Sequence, residues 1–195
     1  YGLSNPFKAI PALHVSLWLN TCPFMMYFGQ ELGEAGNDAE GFSGKDGRTT
    51  IFDYWSLDKM IRWNNEGNFD EQQLTSDEKQ LRQEYIKALT FANREKAIVS
   101  GQFYDLMYAN PNAQAYVFMR GYENELLVVL SNFNAHPVQV KLNIPEEAYQ
   151  FFKTTSTANK QLSIFDDNLV TSTPFALNQE ITVNPYNSKI VKFTL

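Results

Sequence analysis

The apolar positions in the first half of the chain recur at helical spacing and predict three helices. The first helix ends at Asn20, and its prolines fall only in the early turns, where the ring costs least. The second is short, runs to Trp63 and places Ser56 at its start as an N-cap. The third begins with Thr75 and Glu78 at the spacing of a capping box. The apolar surfaces are formed by Ala9, Leu13, Val15, Leu17 and Trp18 in the first helix, Leu57, Met60 and Ile61 in the second, and Leu81, Tyr85, Ala88, Leu89 and Ala92 in the third.

A run between the first two helices has a different pattern. From Pro23 to Phe28 there is no charge and no side-chain amide, which predicts a strand buried on both faces, as in parallel sheets. Gly29, Gln30 and Glu31 follow directly, at the strand end where parallel α/β folds bind ligands. The chain offers no parallel neighbours for this strand. We therefore expect its apolar faces to be covered by a swapped copy, by a rearranged sheet or by the rest of a larger parent protein.

After Gly101 apolar and polar residues alternate, which predicts β-strands. Two of the runs, Ala115–Arg120 and Glu125–Leu130, are expected to form a hairpin across Gly121–Asn124. The other predicted strands are Val138–Ile144, Leu162–Phe165, Thr173–Leu177, Glu180–Val183 and Ser188–Leu195. Short strands at this spacing are typical of an antiparallel sandwich. The predicted fold class is α+β, with a mainly helical part at residues 1–100 and an all-β sandwich at residues 101–195.

Composition narrows the classes of partner. A net charge of -6 without a basic run argues against binding nucleic acid through its phosphates. No stretch reaches the roughly 18 apolar residues of a membrane span, so a soluble protein is expected, with its compartment left open. The single cysteine, Cys22, excludes a disulfide within the chain and a cysteine-rich metal site. Because it lies beside the apolar run, we expect it to pack as a small apolar residue.

The order of these features resembles the C-terminal part of the α-amylase-like enzymes of glycoside hydrolase family 13. Pro23–Glu31 is similar to the run that forms the eighth and last strand of the family's catalytic (β/α)8 barrel. Asp46–Thr50, with Trp55 behind it, is similar to part of the loop after that strand. The resemblance implies that Leu74–Ala97 contains the last barrel helix and that Phe103–Leu195 is the family's C-terminal sandwich.

The resemblance also implies what this chain lacks. Members of the family cleave or rearrange α-glucosidic bonds by a retaining mechanism that uses a carboxylate nucleophile, a carboxylic acid/base and a third carboxylate. All three lie on earlier barrel strands, the last within an Asn-His-Asp motif that does not occur here. The expected function is therefore that of a C-terminal fragment of an α-glucan hydrolase, inactive alone, which meets its oligosaccharide or polysaccharide only through the full-length enzyme. Tyr1, in place of a methionine, fits such a piece.

Five residues are the predicted substrate contacts, namely Gln30, Glu31, Arg48, Asp53 and Trp55. Gln30 can donate to a sugar hydroxyl, and Glu31 ends the strand where a pocket is expected. The alternative for both is to satisfy backbone groups at the rim of the barrel. Arg48 and Asp53 can pair their charges. Trp55 either presents its ring to a sugar or anchors the loop in the core.

No cofactor is predicted. Asp38, Glu40 and Asp46 offer oxygen ligands at short spacing, as calcium prefers, but the full alternating pattern of ligands is absent. Solvated loop acids are favoured, and calcium remains an option only for the parent enzyme. His14 lies on an apolar helix and is expected to be packed and hydrogen-bonded. His136 precedes a proline in a turn and is expected to be exposed.

Two other functions remain open for the predicted sandwich. Its aromatic side chains either stack on glucan chains, as in a non-catalytic carbohydrate-binding module, or form cross-strand pairs. The candidates are Tyr104, Tyr108, Tyr116 and Tyr122. A purely structural role, in which the sandwich shields and stabilises the barrel, is the one we favour.

Overall fold

The computed structural model describes residues 5–35, 57–154, 161–177 and 179–194. The chain divides into two compact units, the first within Tyr1–Phe7 and Phe24–Ile86 and the second within Lys8–Pro23 and Lys87–Leu195. Helices and antiparallel sheets together make the fold α+β. No helix in the described ranges combines the length and apolar character that crossing a membrane requires.

Three of the helices confirm those predicted from the spacing of apolar residues. The helices of the described residues are α1 (Ile10–Trp18), α2 (Asp58–Asn64), α3 (Ser76–Arg94), α4 (Lys96–Val99) and α5 (Glu146–Phe151). Pro11 lies in the first turn of α1, as expected. The capping box before α3 is present, because the Thr75 N–H donates to Glu78 Oε2 at 3.0 Å and the Glu78 N–H donates to Thr75 Oγ1 at 3.3 Å.

The start of α2 and the two shortest helices differ from the sequence analysis. Leu57, not Ser56, occupies the N-cap position of α2, and Ser56 lies outside the described residues. Ile61 is 49% exposed, so the apolar side of α2 is narrower than predicted. The helices α4 and α5 were not predicted, because runs of four and six residues are too short to show a helical repeat.

Among the described residues of the second unit, eight strands form two antiparallel sheets. The strands are β1 (Gln102–Asp105), β2 (Tyr116–Tyr122), β3 (Glu125–Asn132), β4 (Val138–Lys141), β5 (Gln161–Phe165), β6 (Ser172–Pro174), β7 (Glu180–Val183) and β8 (Asn187–Thr194). One sheet has the order β1-β2-β3-β8-β5-β6, and β4 and β7 form the other. The predicted hairpin is tighter than expected, since Tyr122 pairs with Glu125 and leaves a two-residue turn. The edge strand β1 was not predicted.

Both faces of the central strand β3 are buried. Leu126, Val128 and Leu130 on one face join the core that also contains the apolar side chains of β4 and β7. Because side chains alternate along a strand, Leu127 and Val129 point to the opposite face, and α1 packs against β3 and β8. One apolar core therefore connects the two sheets, and a helix lies against the larger one.

The segment Pro23–Phe28 is not the buried strand that its composition predicted. Residues 23–27 have no regular secondary structure, and a turn begins at Phe28. Met25 is 87% exposed and Tyr27 is 47% exposed. A strand needs a hydrogen-bonded neighbour, and none of the described strands pairs with this segment. Cys22, expected to pack as an apolar residue, is exposed for the same reason.

Candidate functional site

Two glycines shape the turn that carries the first two predicted site residues. Gln30–Leu32 form a single 3₁₀ turn between Gly29, with φ 76°, and Gly33, with φ 68°. Both glycines adopt the left-handed conformation that other residues avoid. A Cβ on Gly29 would also lie only 2.8 Å from Cβ of Glu34. Leu32 is 1% exposed and anchors the turn in the first unit. The positions of Gln30 and Glu31 are therefore fixed by the backbone.

The Gln30 side chain is used within the protein. Its Oε1 accepts a hydrogen bond from the Tyr27 N–H at 3.0 Å. The side chain also bonds to the hydroxyl of Tyr85 on α3. These contacts match the alternative weighed for Gln30, in which it satisfies a backbone group. Its predicted contact with substrate stays a prediction.

Glu31 is the more promising of the two residues for binding a ligand. Its Oε2 is buried and has no hydrogen-bond partner among the described residues. Burial raises the pKa of the Tyr85 hydroxyl, and the nearby Glu31 carboxylate adds to that shift. A buried carboxylate oxygen without a donor is costly. A hydroxyl group of a ligand is one donor that would satisfy it.

Glu34, which the sequence analysis missed, ties this turn to α2. Glu34 Oε2 accepts from the N–H groups of Lys59 and Met60 at 3.0 and 3.2 Å. These N–H groups belong to the first turn of α2, where a carboxylate is favoured by the unpaired donors and the helix dipole. The Lys59 ammonium in turn donates to the Gly33 carbonyl. Glu34 thus serves as the cap that the sequence analysis had assigned to Ser56.

A second ion pair connects α2 to the start of α3. The Arg62 guanidinium binds both carboxylate oxygens of Glu78, with Nε donating to Oε2 at 3.1 Å. Burial alone would raise the pKa of Glu78, but the hydrogen bonds from Arg62 and Thr75 outweigh it and hold the pKa below its ordinary value. Glu78 is therefore ionised at neutral pH. It acts as a structural link between the two helices.

The remaining candidates lie outside the described residues. These are the predicted contacts Arg48, Asp53 and Trp55 and the weighed calcium ligands Asp38, Glu40 and Asp46. Within the described ranges, no group of three or more His, Cys, Asp or Glu side chains has the arrangement needed to hold a metal ion. The candidate site in the described residues is thus the Gly29–Gly33 turn with the side chains that contact it.

The histidines behave differently from each other. His136 is exposed, as predicted. His14 is packed as predicted, with its ring stacked on Trp18 at a centroid distance of 4.3 Å. The expected hydrogen bonds are absent, since neither ring nitrogen has a partner among the described residues. Burial lowers the pKa of His14 to about 3, so the ring is neutral and acts as an apolar group.

Comparison with solved structures identifies the fold. The crystal structure of AmyP in complex with maltose matches 96% of this chain at a TM-score of 0.59 and 15% identity. The crystal structure of the α-amylase of Geobacillus thermoleovorans complexed with acarbose matches 98% of this chain, at a TM-score of 0.52 and 16% identity. The crystal structure of the trehalose-6-phosphate hydrolase of Bacillus licheniformis matches 97% of this chain, at a TM-score of 0.58 and 15% identity. The fold is that of α-amylase-type glycoside hydrolases.

The match covers only part of those enzymes. The chain spans 34% of AmyP and of the G. thermoleovorans α-amylase, and 39% of the B. licheniformis hydrolase. No family model matches the sequence, and no curated protein matches it either. At such low identity the likeness concerns the fold alone. It confirms the resemblance that the order of sequence features had indicated.

Proposed function

We propose that this chain is the C-terminal part of a retaining α-glucan hydrolase. The observation that carries the proposal is the match of 96% of the chain to about a third of AmyP, a protein crystallised with maltose. In this proposal residues 1–100 belong to the end of the catalytic barrel, and residues 101–195 form the C-terminal sandwich. The nucleophile, the acid/base and the third carboxylate of the retaining mechanism then come from residues outside this sequence.

The exposed segment after α1 supports the same proposal. Pro23–Phe28 is apolar, yet it belongs to neither of the described sheets and carries Met25 at 87% exposure. Exposed apolar runs are typical of surfaces that another part of a protein covers. The remainder of the barrel is the cover that we propose for it. A second copy of the chain is the alternative.

Glu31 is the residue that we propose as a contact to substrate in the assembled site. Its buried Oε2 lacks a donor among the described residues, and a sugar hydroxyl would supply one. Gln30, whose side chain bonds to the Tyr27 N–H and to the Tyr85 hydroxyl, is proposed as a second contact beside it. Arg48, Asp53 and Trp55 complete the proposed wall of the site. The sandwich is proposed to stabilise the barrel.

The proposal is tested by comparing two proteins from the same gene. We expect the 195-residue chain alone to release no reducing sugar from maltoheptaose. The full-length gene product is expected to hydrolyse maltoheptaose with retention of the anomeric configuration. Proton NMR of the first product formed measures that configuration. Turnover by the 195-residue chain alone would contradict the placement of the acids. An inverted first product, or a full-length protein inactive on α-glucans, would contradict the proposed reaction.

The role of Glu31 is tested in the full-length product with Glu31→Gln. The isosteric amide keeps the size of the side chain and loses the charge, so a hydrogen bond from a substrate hydroxyl weakens by about 1.5 kcal/mol, or roughly ten-fold in kcat/KM. The matched control is Glu66→Gln, at an exposed position in the same unit. Equal activity of the two variants would contradict a substrate contact at Glu31.

A further inference from the structure

The helix α3 lies directly against the Gly29–Gly33 turn. A Cβ added to Gly33 would lie only 2.9 Å from Leu81 Cδ2, so the backbone of the turn is packed on this helix. Leu81 is fully buried, and Tyr85, which is 4% exposed, follows it by four residues on α3. Residues at this spacing share one face of a helix. The helix therefore brings a second buried side chain close to the turn.

The Tyr85 hydroxyl completes the hydrogen bonds of the Gln30 amide. Gln30 Oε1 accepts from the Tyr27 N–H at 3.0 Å, and the same side chain bonds to the Tyr85 hydroxyl. Burial raises the pKa of Tyr85, whereas the bond with Gln30 lowers that pKa. A hydrogen bond has this effect when it is donated to the phenol oxygen, so the Gln30 amide N–H₂ is the donor. Both ends of the amide are therefore held.

Glu31 interacts with the same hydroxyl through its charge. After burial, the Glu31 carboxylate is a further cause that raises the pKa of Tyr85, which places the two groups close together. Gln30 and Glu31 share a single 3₁₀ turn, so a contact that fixes one residue also restricts the backbone of the other. Tyr85 is thus a buried side chain outside the turn that interacts with two of the proposed substrate contacts.

Packing alone does not account for a tyrosine at this position. A phenylalanine ring would fill the same space without the cost of burying a hydroxyl. The buried residues that follow in α3 are all apolar, namely Ala88, Phe91 and Ala92. The Tyr85 hydroxyl is therefore explained by its bond to Gln30 in the candidate site.

We propose that Tyr85 is a positioning residue, which holds Gln30 and Glu31 in the geometry that binds an α-glucan. The inference rests on the proposed function, because it concerns the same site. Tyr85 is buried and acts through the turn, without touching substrate. Its loss should therefore weaken the binding of substrate and leave the chemical step nearly unchanged, since the reacting carboxylates are proposed to lie outside this sequence.

The first test is steady-state kinetics of the full-length gene product on maltoheptaose. Tyr85→Phe keeps the ring and removes the hydroxyl, and we expect KM to rise about three- to ten-fold while kcat changes by less than about two-fold. The matched control is Tyr149→Phe, which removes the hydroxyl of a tyrosine that is 3% exposed in the second unit. This control should leave both KM and kcat unchanged.

A double-mutant cycle tests whether Tyr85 acts through Glu31. In the Glu31→Gln background the contact that Tyr85 supports is already weakened. We therefore expect Tyr85→Phe to change KM by no more than about two-fold there, because two residues that act through one contact are not additive. A tyrosine that merely fills the core would give the same factor in both backgrounds.

A second measurement, on the 195-residue chain, needs no activity. Tyr85→Phe removes the acceptor of the Gln30 amide, so the side-chain N–H₂ resonances of Gln30 should shift in NMR spectra, whereas Tyr149→Phe should leave them in place. The backbone N–H groups of Gly33 and Glu34 donate to carbonyls within the turn. In Tyr85→Phe they should exchange with solvent about three- to ten-fold faster.

The outcomes separate this inference from the proposed function. An active full-length protein in which Tyr85→Phe changes KM no more than Tyr149→Phe overturns the positioning role and leaves the hydrolase intact. Additive effects of Tyr85→Phe and Glu31→Gln overturn the action through Glu31. Unshifted Gln30 resonances overturn the hydrogen bond on which the role depends. A full-length protein inactive on α-glucans overturns the hydrolase and, with it, a role of Tyr85 in binding a glucan, even where the Gln30 resonances shift as expected.

Discussion

Arg120 is a buried charge that holds the ends of two helices. It is 1% exposed and donates to the carbonyls of Leu19 at 2.7 Å, Ala97 at 3.1 Å, Ile98 at 3.0 Å and Gly101 at 2.8 Å. Carbonyls at the C-terminal ends of α1 and α4 lack intrahelical partners and carry partial negative charge. Burial lowers the pKa of Arg120, but a guanidinium stays charged in proteins. One side chain therefore caps both helices.

Replacing this guanidinium should be severely destabilising. In Arg120→Met the four carbonyls lose their donor inside the protein, and we expect the free energy of unfolding to fall by about 3 kcal/mol in urea titrations. Arg120→Lys should recover only part of the loss, since an ammonium cannot reach all four acceptors. Arg82→Met serves as the control, because Arg82 makes a partly exposed ion pair with Glu71 worth at most about 1 kcal/mol. A similar loss in both Met variants would contradict the capping role.

His14 makes stability depend on pH. Its pKa is about 3 in the folded chain and about 6.5 when unfolded, so between these values the unfolded state binds the extra proton. The contribution of the neutral His14 to the free energy of unfolding is therefore fully present above pH 6.5. It falls as the pH drops, and at pH 5 the free energy of unfolding is lower by about 2 kcal/mol. Urea titrations at pH 7 and pH 5 measure the difference. His14→Leu should abolish it, and His136→Ala should preserve it.

The contacts of individual side chains were the feature that the sequence predicted least well. The sequence indicated that His14 would be packed, because it lies on an apolar helix, but not that both its nitrogens would lack partners. Glu34 caps α2 from 25 positions upstream of Lys59, and nothing in the local sequence marks that contact. In the candidate site, the turn at Gln30 and Glu31 was found from the pattern. The Gln30 side chain bonds to Tyr27, three residues before it, and to Tyr85, which only the fold brings near.

At the scale of elements, the capping box of α3 offers a clean measurement. Thr75→Ala removes the acceptor of the Glu78 N–H and should lower the free energy of unfolding by about 1 kcal/mol. Thr90→Ala changes an exposed threonine inside the same helix and should be neutral or slightly stabilising, because alanine has the higher helix propensity. Urea titration of both variants is sufficient. A loss in Thr90→Ala as large as that in Thr75→Ala would contradict the cap as the cause.

Two apolar runs show why elements were predicted unevenly. Leu126–Leu130 and Pro23–Phe28 are both apolar, yet only the first lies in a strand, β3. β3 is hydrogen-bonded to β2 and β8, whereas Pro23–Phe28 is not part of either described sheet. Apolar composition encodes a preference for burial, but pairing depends on other segments. The spacing of apolar residues and the capping residues therefore predicted the long helices and most strands correctly. The edge strand β1 was not predicted, because four residues are too few to show an alternating pattern.

At the scale of the whole molecule, the exposed apolar segment gives a direct test of what surrounds it. Met25 is 87% exposed and Met26 is 40% exposed in this chain, whereas Met119 in β2 is fully buried. If the remainder of a barrel covers Pro23–Phe28 in the full-length protein, hydrogen peroxide should oxidise Met25 at least about ten-fold more slowly there than in the 195-residue chain. Peptide mass spectrometry measures both rates, and Met119 should react slowly in both proteins. Equal, fast oxidation of Met25 in the two proteins would mean that the segment stays uncovered. The barrel proposal would then lose its main physical support, because a strand in the catalytic barrel is shielded by neighbours on both sides.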